Sequence, residues 1–179
     1  MEELTIEFDS AVPLAPVNSL NEYCKRTALS ITERKSGRIP QFQAADGHII
    51  WPLLNTVINR VELRPNAEFC ELGAGIGLVT LMASRLKLRA TGIEIEPELV
   101  DLAIHTAGHF QIPSRFLHAD MFHAPENTYQ HTDLFFAYPW PSQEESVIQL
   151  FNREGKPGAI LICYRGGLQY RVLQKHNDY

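Results

Sequence analysis

The sequence predicts an α/β fold, a doubly wound and mostly parallel sheet with helices on both faces. Two observations carry this. From Ala67 onward, short apolar strand patterns alternate with helical patterns, and repeated β-α-β units of that kind need a parallel sheet with both faces covered. The first of those strands also runs into three closely spaced glycines and then a helical pattern. That is the setting of a nucleotide-type site beyond the carboxyl end of a strand. The 179 residues suit one domain. It divides into a less regular front segment, 1–51, and a strongly patterned core, 52–179.

The elements follow in order. Residues 3–8, ELTIEF, alternate polar and apolar and read as an edge strand. After Pro13 and Pro16, Asn18 or Ser19 caps a helix to about Glu33, with Leu20, Tyr23, Cys24, Ala28 and Ile31 as its apolar positions. Residues 36–48, with Gly37, Pro40 and Gly47, read as loop. Pro52 suits the first turn of a second helix carrying Leu53, Leu54, Val57, Ile58 and Val61. The core then predicts strands at Ala67–Leu72, Arg89–Ile93, Arg115–Ala119, Thr132–Tyr138 and Gly158–Tyr164. Helices are predicted over Ile76–Leu88, Pro97 to about Phe110, and Gln143–Arg153. A last short strand fits Tyr170–Gln174.

Composition narrows the function classes. Apolar residues make up 45% and charged residues 21%, which excludes disordered and collagen-like chains. No apolar run approaches a membrane span, so no membrane partner is expected. The opening MEELTIEFDS is acidic, unlike a signal or transit peptide, and the expected location is cytoplasmic. The net charge of −5 argues against a bulk grip on nucleic acid. The basic stretch Lys25, Arg26, Arg34, Lys35 and Arg38 reads as a solvated helix face. Cys24, Cys70 and Cys163 are odd in number and far apart, which suggests neither disulfides nor zinc. His105 and His109 have the i, i+4 spacing of a zinc pair but lack a nearby third ligand, so no metal is expected.

The glycine turn reads Glu71-Leu72-Gly73-Ala74-Gly75-Ile76-Gly77. A dinucleotide fingerprint, G-x-G-x-x-G, needs its last glycine where Leu78 stands. Glu71, two residues before the first glycine, suits a cationic ligand rather than a pyrophosphate. The stretch resembles motif I of the class I S-adenosylmethionine-dependent methyltransferases, (D/E)-x-G-x-G-x-G, and matches it throughout. The resemblance spans roughly residues 52–165. It implies a Rossmann-like methyltransferase fold and S-adenosylmethionine as cofactor.

Site residues follow from the same resemblance, in chain order. Glu71, Gly73, Gly75 and Gly77 would form the cofactor loop. Glu94, at the end of the second core strand, would take the ribose hydroxyls, ahead of its rival Glu96. Asp120 would accept from the adenine amino group, with the Met121 backbone N–H meeting a ring nitrogen. The fourth core strand ends Tyr138-Pro139-Trp140-Pro141, where the family places the methyl-transfer mouth. Amino-methylating members often carry (D/N/S)-P-P-(Y/F/W) there. The missing leading Asp, Asn or Ser argues against nucleic-acid base methylation. Tyr138 and Trp140 are the residues expected at the reacting centre, since aromatic faces favour cations.

The resemblance further implies that the front segment, 1–51, acts as a cap or lid over the cofactor, with Gln43–His48 followed by Trp51 as the expected stretch and Asp46, His48 and Trp51 as candidates. Fourteen residues follow Arg165, too few for the helix and hairpin that usually end the family core. The sheet is therefore expected to be abbreviated at its C-terminal end, or completed by ELTIEF. The expected function is methyl transfer from S-adenosylmethionine to an amine, first a protein lysine. A small molecule or an RNA base is the next acceptor in line, and a non-catalytic binding module or an NAD-dependent oxidoreductase the competing class. The acceptor partner is a small molecule or a protein, and a homodimer stays open.

Overall fold

The computed structural model describes residues 1–7, 9, 11–34 and 43–176. Its strands are β1 (Glu2–Leu4), β2 (Glu68–Leu72), β3 (Arg89–Glu94), β4 (Arg115–His118), β5 (Leu134–Ala137), β6 (Ile160–Gly166) and β7 (Gln169–Gln174). Its helices are α1 (Asn18–Arg34), α2 (Gly47–Arg60), α3 (Leu78–Arg85), α4 (Pro97–Phe110) and α5 (Glu144–Glu154).

The strands form one seven-stranded sheet in the order β1-β7-β6-β5-β2-β3-β4. Strands β2 to β6 run parallel, while β7 and β1 are antiparallel to their neighbours. The order reverses at β2, which lies between β3 and β5. Leu72, the last residue of β2, pairs in register with Ala137, the last of β5. The turns after these strands, Gly73 onward and Tyr138 onward, therefore open side by side at the switch point where such sheets bind ligands.

Side-chain alternation splits the core in two. On β5, Leu134 and Phe136 face one layer, which also buries Leu54 and Val57 of α2, Leu81 and Met82 of α3, and Leu99 of α4. Phe135 and Ala137 face the other, with Val147, Leu150 and Phe151 of α5. A strand apolar on both faces is what a doubly covered parallel sheet requires.

Of the two alternatives for the C-terminal end of the sheet, completion by the N-terminal segment is the one found: β6 and β7 form a hairpin through Gly167 and Leu168, and β1 pairs with β7, Glu2 opposite Gln174 and Leu4 opposite Val172. Two other expectations are corrected. The N-terminal strand covers Glu2–Leu4 rather than residues 3–8. An ion-pair cluster holds it there. Arg171 of β7 binds Glu3 of β1 at 2.9 Å and Glu144 of α5 at 3.5 Å, and Arg165 of β6 also binds Glu144. Finally, α2 begins at Gly47, not at Pro52, because the Asp46 side chain caps it by accepting from the His48 N–H at 3.0 Å. Pro52 thus sits inside the helix, where its missing N–H leaves the carbonyl four residues earlier without its helical donor.

Candidate functional site

The glycine turn is held by bonds that leave little for an anion. The Gly73 and Ala74 N–H groups both donate to the Ile93 carbonyl, at 2.9 and 2.8 Å. The Gly75 N–H donates to Glu94 Oε2 at 2.7 Å. Three successive donors are thus spent on β3, whereas a pyrophosphate cradle needs them aimed at the ligand. Gly77 has a φ of 85° and precedes the first residue of α3. A Cβ there would also lie 2.7 Å from the Phe116 ring, so the position demands glycine twice over. Gly73, at φ 79°, has open space where its Cβ would be, leaving room for a ligand against the backbone.

Glu71 is 5% exposed. Its Oε2 accepts from the Thr80 N–H at 2.8 Å and the Thr80 hydroxyl at 2.5 Å. Since Gly77 at the cap position has no side chain, Glu71 does the capping of α3 from the adjoining strand. Burial pushes its carboxyl up to about 8, against the pull of the two Thr80 bonds. Strand end, glycine turn and helix start are thereby one unit.

Glu94 is buried, and its carboxylate accepts three backbone N–H groups: Gly75 on Oε2, and Ile95 and Glu96 on Oε1 at 2.8 and 2.9 Å. A carboxylate offers about four lone-pair sites, so acceptor capacity remains toward the cavity that Glu94 lines. Glu96 lines the same cavity, and its side chain makes no capping bond to α4.

Asp120 caps a short 3-10 turn at Met121–His123, accepting from the Phe122 N–H at 2.9 Å and pairing with His123 Nδ1 at 2.7 Å. The His123 ring and the Phe122 N–H hold its carboxyl below the usual range. Met121 lines the cavity, and its carbonyl accepts from the Tyr129 hydroxyl at 2.6 Å. Asp120 lies outside the lining.

The cavity measures about 590 Å³, within the size range of small-molecule sites. Residues 71–76, at the end of and after β2, line it, with Ile95, Glu96, Leu99 and Met121 following strands on the β3–β4 side and Tyr138, Pro139 and Trp140 following β5 on the other. The Tyr138 ring meets the Tyr164 ring edge-on at a centroid distance of 4.7 Å. The Tyr164 hydroxyl donates to the Gly167 carbonyl at 3.0 Å, so the β6–β7 turn supports the pair. Trp140 is 37% exposed and stands at the mouth.

The front segment supplies a wall. Gln43 to Asp46 line the cavity, but His48 is exposed and outside the lining. Trp51 is buried in the core and donates from Nε1 to the Pro13 carbonyl at 3.1 Å. The larger contribution, which sequence reasoning missed, is α1: Asn21, Cys24, Lys25, Ala28, Leu29 and Thr32 all line the cavity. Their spacing is one helix face, and that periodicity was the available signal. Of the basic stretch, Lys25 lines the cavity and Arg26 does not; Lys35 and Arg38 lie outside the described residues, as does the Arg34 side chain.

Other candidates have structural roles. His109 stacks on Tyr23 at 5.1 Å, and among the described residues no three His, Cys, Asp or Glu side chains cluster to hold a metal. All three cysteines are buried free thiols, with Cys24 and Cys163 pushed up to about 12 by burial. No helix among the described residues is long and apolar enough to cross a membrane.

These residues fit S-adenosylmethionine. Asp46, Glu94 and Glu96 would offer carboxylates to its cationic groups and ribose hydroxyls, and no phosphate would have to be cradled.

Comparison with known structures gives the same fold. An RNA methyltransferase from Salinibacter ruber, solved with S-adenosyl-L-homocysteine, superposes with a TM-score of 0.60 at 18% identity, covering 79% of this chain and 96% of that one. An S-adenosylmethionine-dependent methyltransferase from Clostridium acetobutylicum gives 0.59 at 13% identity, over 80% of this chain and 57% of the other. A protein-L-isoaspartate O-methyltransferase gives 0.59 at 15% identity, over 77% and 44%. No curated protein sequence matches the chain. The family model described as histone methylation protein DOT1 matches residues 42–131, half of the chain. The chain therefore belongs to the DOT1 histone methylation family of S-adenosylmethionine-dependent methyltransferases.

Proposed function

We propose that the protein methylates an amine, a protein lysine side chain before other acceptors, using S-adenosylmethionine as cofactor. The observation that carries the reading is the aromatic end of the cavity. Tyr138 and Trp140 line it next to the glycine turn, and the Tyr138 hydroxyl has no hydrogen-bond partner among the described residues. The family's description, histone methylation, supports a protein acceptor.

When bound, S-adenosylmethionine would supply a methyl group on a sulfonium, its S–C bond breaking as the N–C bond to the acceptor forms. The chain's own work is to hold and align. Glu71, Gly73, Gly75 and Gly77 keep the cofactor loop rigid, Glu94 takes the ribose, and Met121 borders the adenine. Asp120 acts on that end through the turn it caps. Burial raises the Tyr138 hydroxyl above its ordinary range, so it stays protonated at neutral pH and serves as hydrogen-bond partner rather than base. Its oxygen accepts from the acceptor N–H and points the nitrogen lone pair at the methyl. Trp140 receives the aliphatic stem and the charged head before deprotonation. The proton departs to water at the exposed mouth, and alignment supplies most of the rate.

Residues 1–51 act as the cap of this single domain, through α1 and residues 43–46. The test is transfer of labelled methyl to recombinant histones, to a lysine peptide and to a structured RNA. Label on protein lysine, with kcat falling about tenfold or more in Tyr138→Phe, is the expected result. Label on RNA alone would overturn the acceptor assignment.

A further inference from the structure

S-adenosylmethionine is a zwitterion at its methionyl end: besides ammonium and sulfonium it carries a carboxylate, which also needs a partner once it leaves water. The carboxylates Asp46, Glu94 and Glu96 line the cavity. These suit the two cationic groups and the ribose but repel the third charge. The glycine-turn donors Gly73, Ala74 and Gly75 are already spent on Ile93 and Glu94.

Among the described residues, the one Lys or Arg lining the cavity is Lys25. It lies in the middle of the α1 face that forms the wall, between Asn21 and Thr32. Its neighbour Cys24 and the glycine-turn residues Glu71 to Ile76 line the same cavity, so this turn of α1 borders the space that the glycine turn also borders. Lys25 is exposed and makes no ion pair or hydrogen bond with a described residue. Its long stem can swing the ammonium inward at little cost in broken contacts.

We infer that Lys25 is the counter-ion of the cofactor's methionyl carboxylate, so that α1 closes on the cofactor by an ion pair and is more than a passive wall. This rests on S-adenosylmethionine occupying the cavity. It predicts that Lys25 recognises one functional group of the ligand, separable from the rest. The Lys25 side chain carries no capping or core role, so its replacement leaves the fold alone.

The test is calorimetric titration of the wild-type protein, Lys25→Gln and Lys25→Arg. The ligands are S-adenosylmethionine and its decarboxylated analogue, which keeps sulfonium and ammonium but lacks the carboxylate. Lys25→Gln should bind S-adenosylmethionine about fivefold to tenfold more weakly, while Lys25→Arg recovers most of the loss. All three proteins should bind the decarboxylated analogue alike. An equal loss for both ligands would make Lys25 a general support of the wall and overturn the inference. No loss for either would assign the carboxylate to backbone N–H groups at the start of α3 instead. Wild-type protein binding neither ligand would refute the cofactor assignment itself, a failure distinct from that of the ion pair.

Discussion

Glu71 shows how a single side chain joins fold and site. Its folded value of about 8 lies above the ordinary 4.5. Between those limits the folded chain keeps a proton that the unfolded chain has released, so stability falls as pH rises through that window. Chemical denaturation from pH 5 to 8 should show this slope, and Glu71→Gln should flatten it. Glu94 makes a different prediction. Because it clamps Gly75, Ile95 and Glu96 together, Glu94→Ala should weaken S-adenosylhomocysteine binding by about tenfold or more while the rest of the core stays folded. Both residues are legible in the sequence as acidic groups at strand ends. What Glu71 touches is not, because its partner Thr80 carries no mark of its own in the sequence. Asp120 is the converse case: its bonds to the Phe122 N–H and His123 are local ones that a caps-first reading of the segment favours.

At the scale of elements, the α1–α2 contact is tighter than its composition suggests. The Gly47 N–H donates to Asn21 Oδ1 at 3.1 Å, and a Cβ on Gly47 would lie 2.2 Å from that oxygen and 2.7 Å from Met82 Cε. Gly47→Ala should cost about 1–3 kcal/mol, read from the denaturation midpoint, through overpacking. It should also shift the α1 wall of the cavity. The sequence presents Gly47 as one more loop glycine after Pro40, since the residue that requires its bareness is 26 positions away. The core alternation was readable because parallel strands buried on both faces leave continuous apolar runs such as Leu134-Phe135-Phe136. The start of α2 was not, because Pro52 is a strong local signal and the Asp46 cap a quieter one.

The whole molecule is organised by the switch point beside β2 and by the ends of the chain meeting on one edge of the sheet. Residues 2–4 complete what the short C-terminal segment leaves open, and Arg171 ties them to β7 and α5. Arg171→Ala should cost about 0.5–1 kcal/mol in low salt and less in high salt, as expected for a partly exposed network. That pairing joins positions more than 160 residues apart, so period-two patterning identified a strand without naming its neighbour. The proposed role of Glu94 is to hold S-adenosylmethionine in the cavity at the switch point. The direct measurement is calorimetric titration of the wild-type protein and Glu94→Ala with S-adenosylmethionine, S-adenosylhomocysteine and NAD. The predicted result is binding of the first two to wild-type protein, strongly weakened in Glu94→Ala, and no binding of NAD. Binding of NAD alone, or full affinity for S-adenosylmethionine in Glu94→Ala, would contradict it.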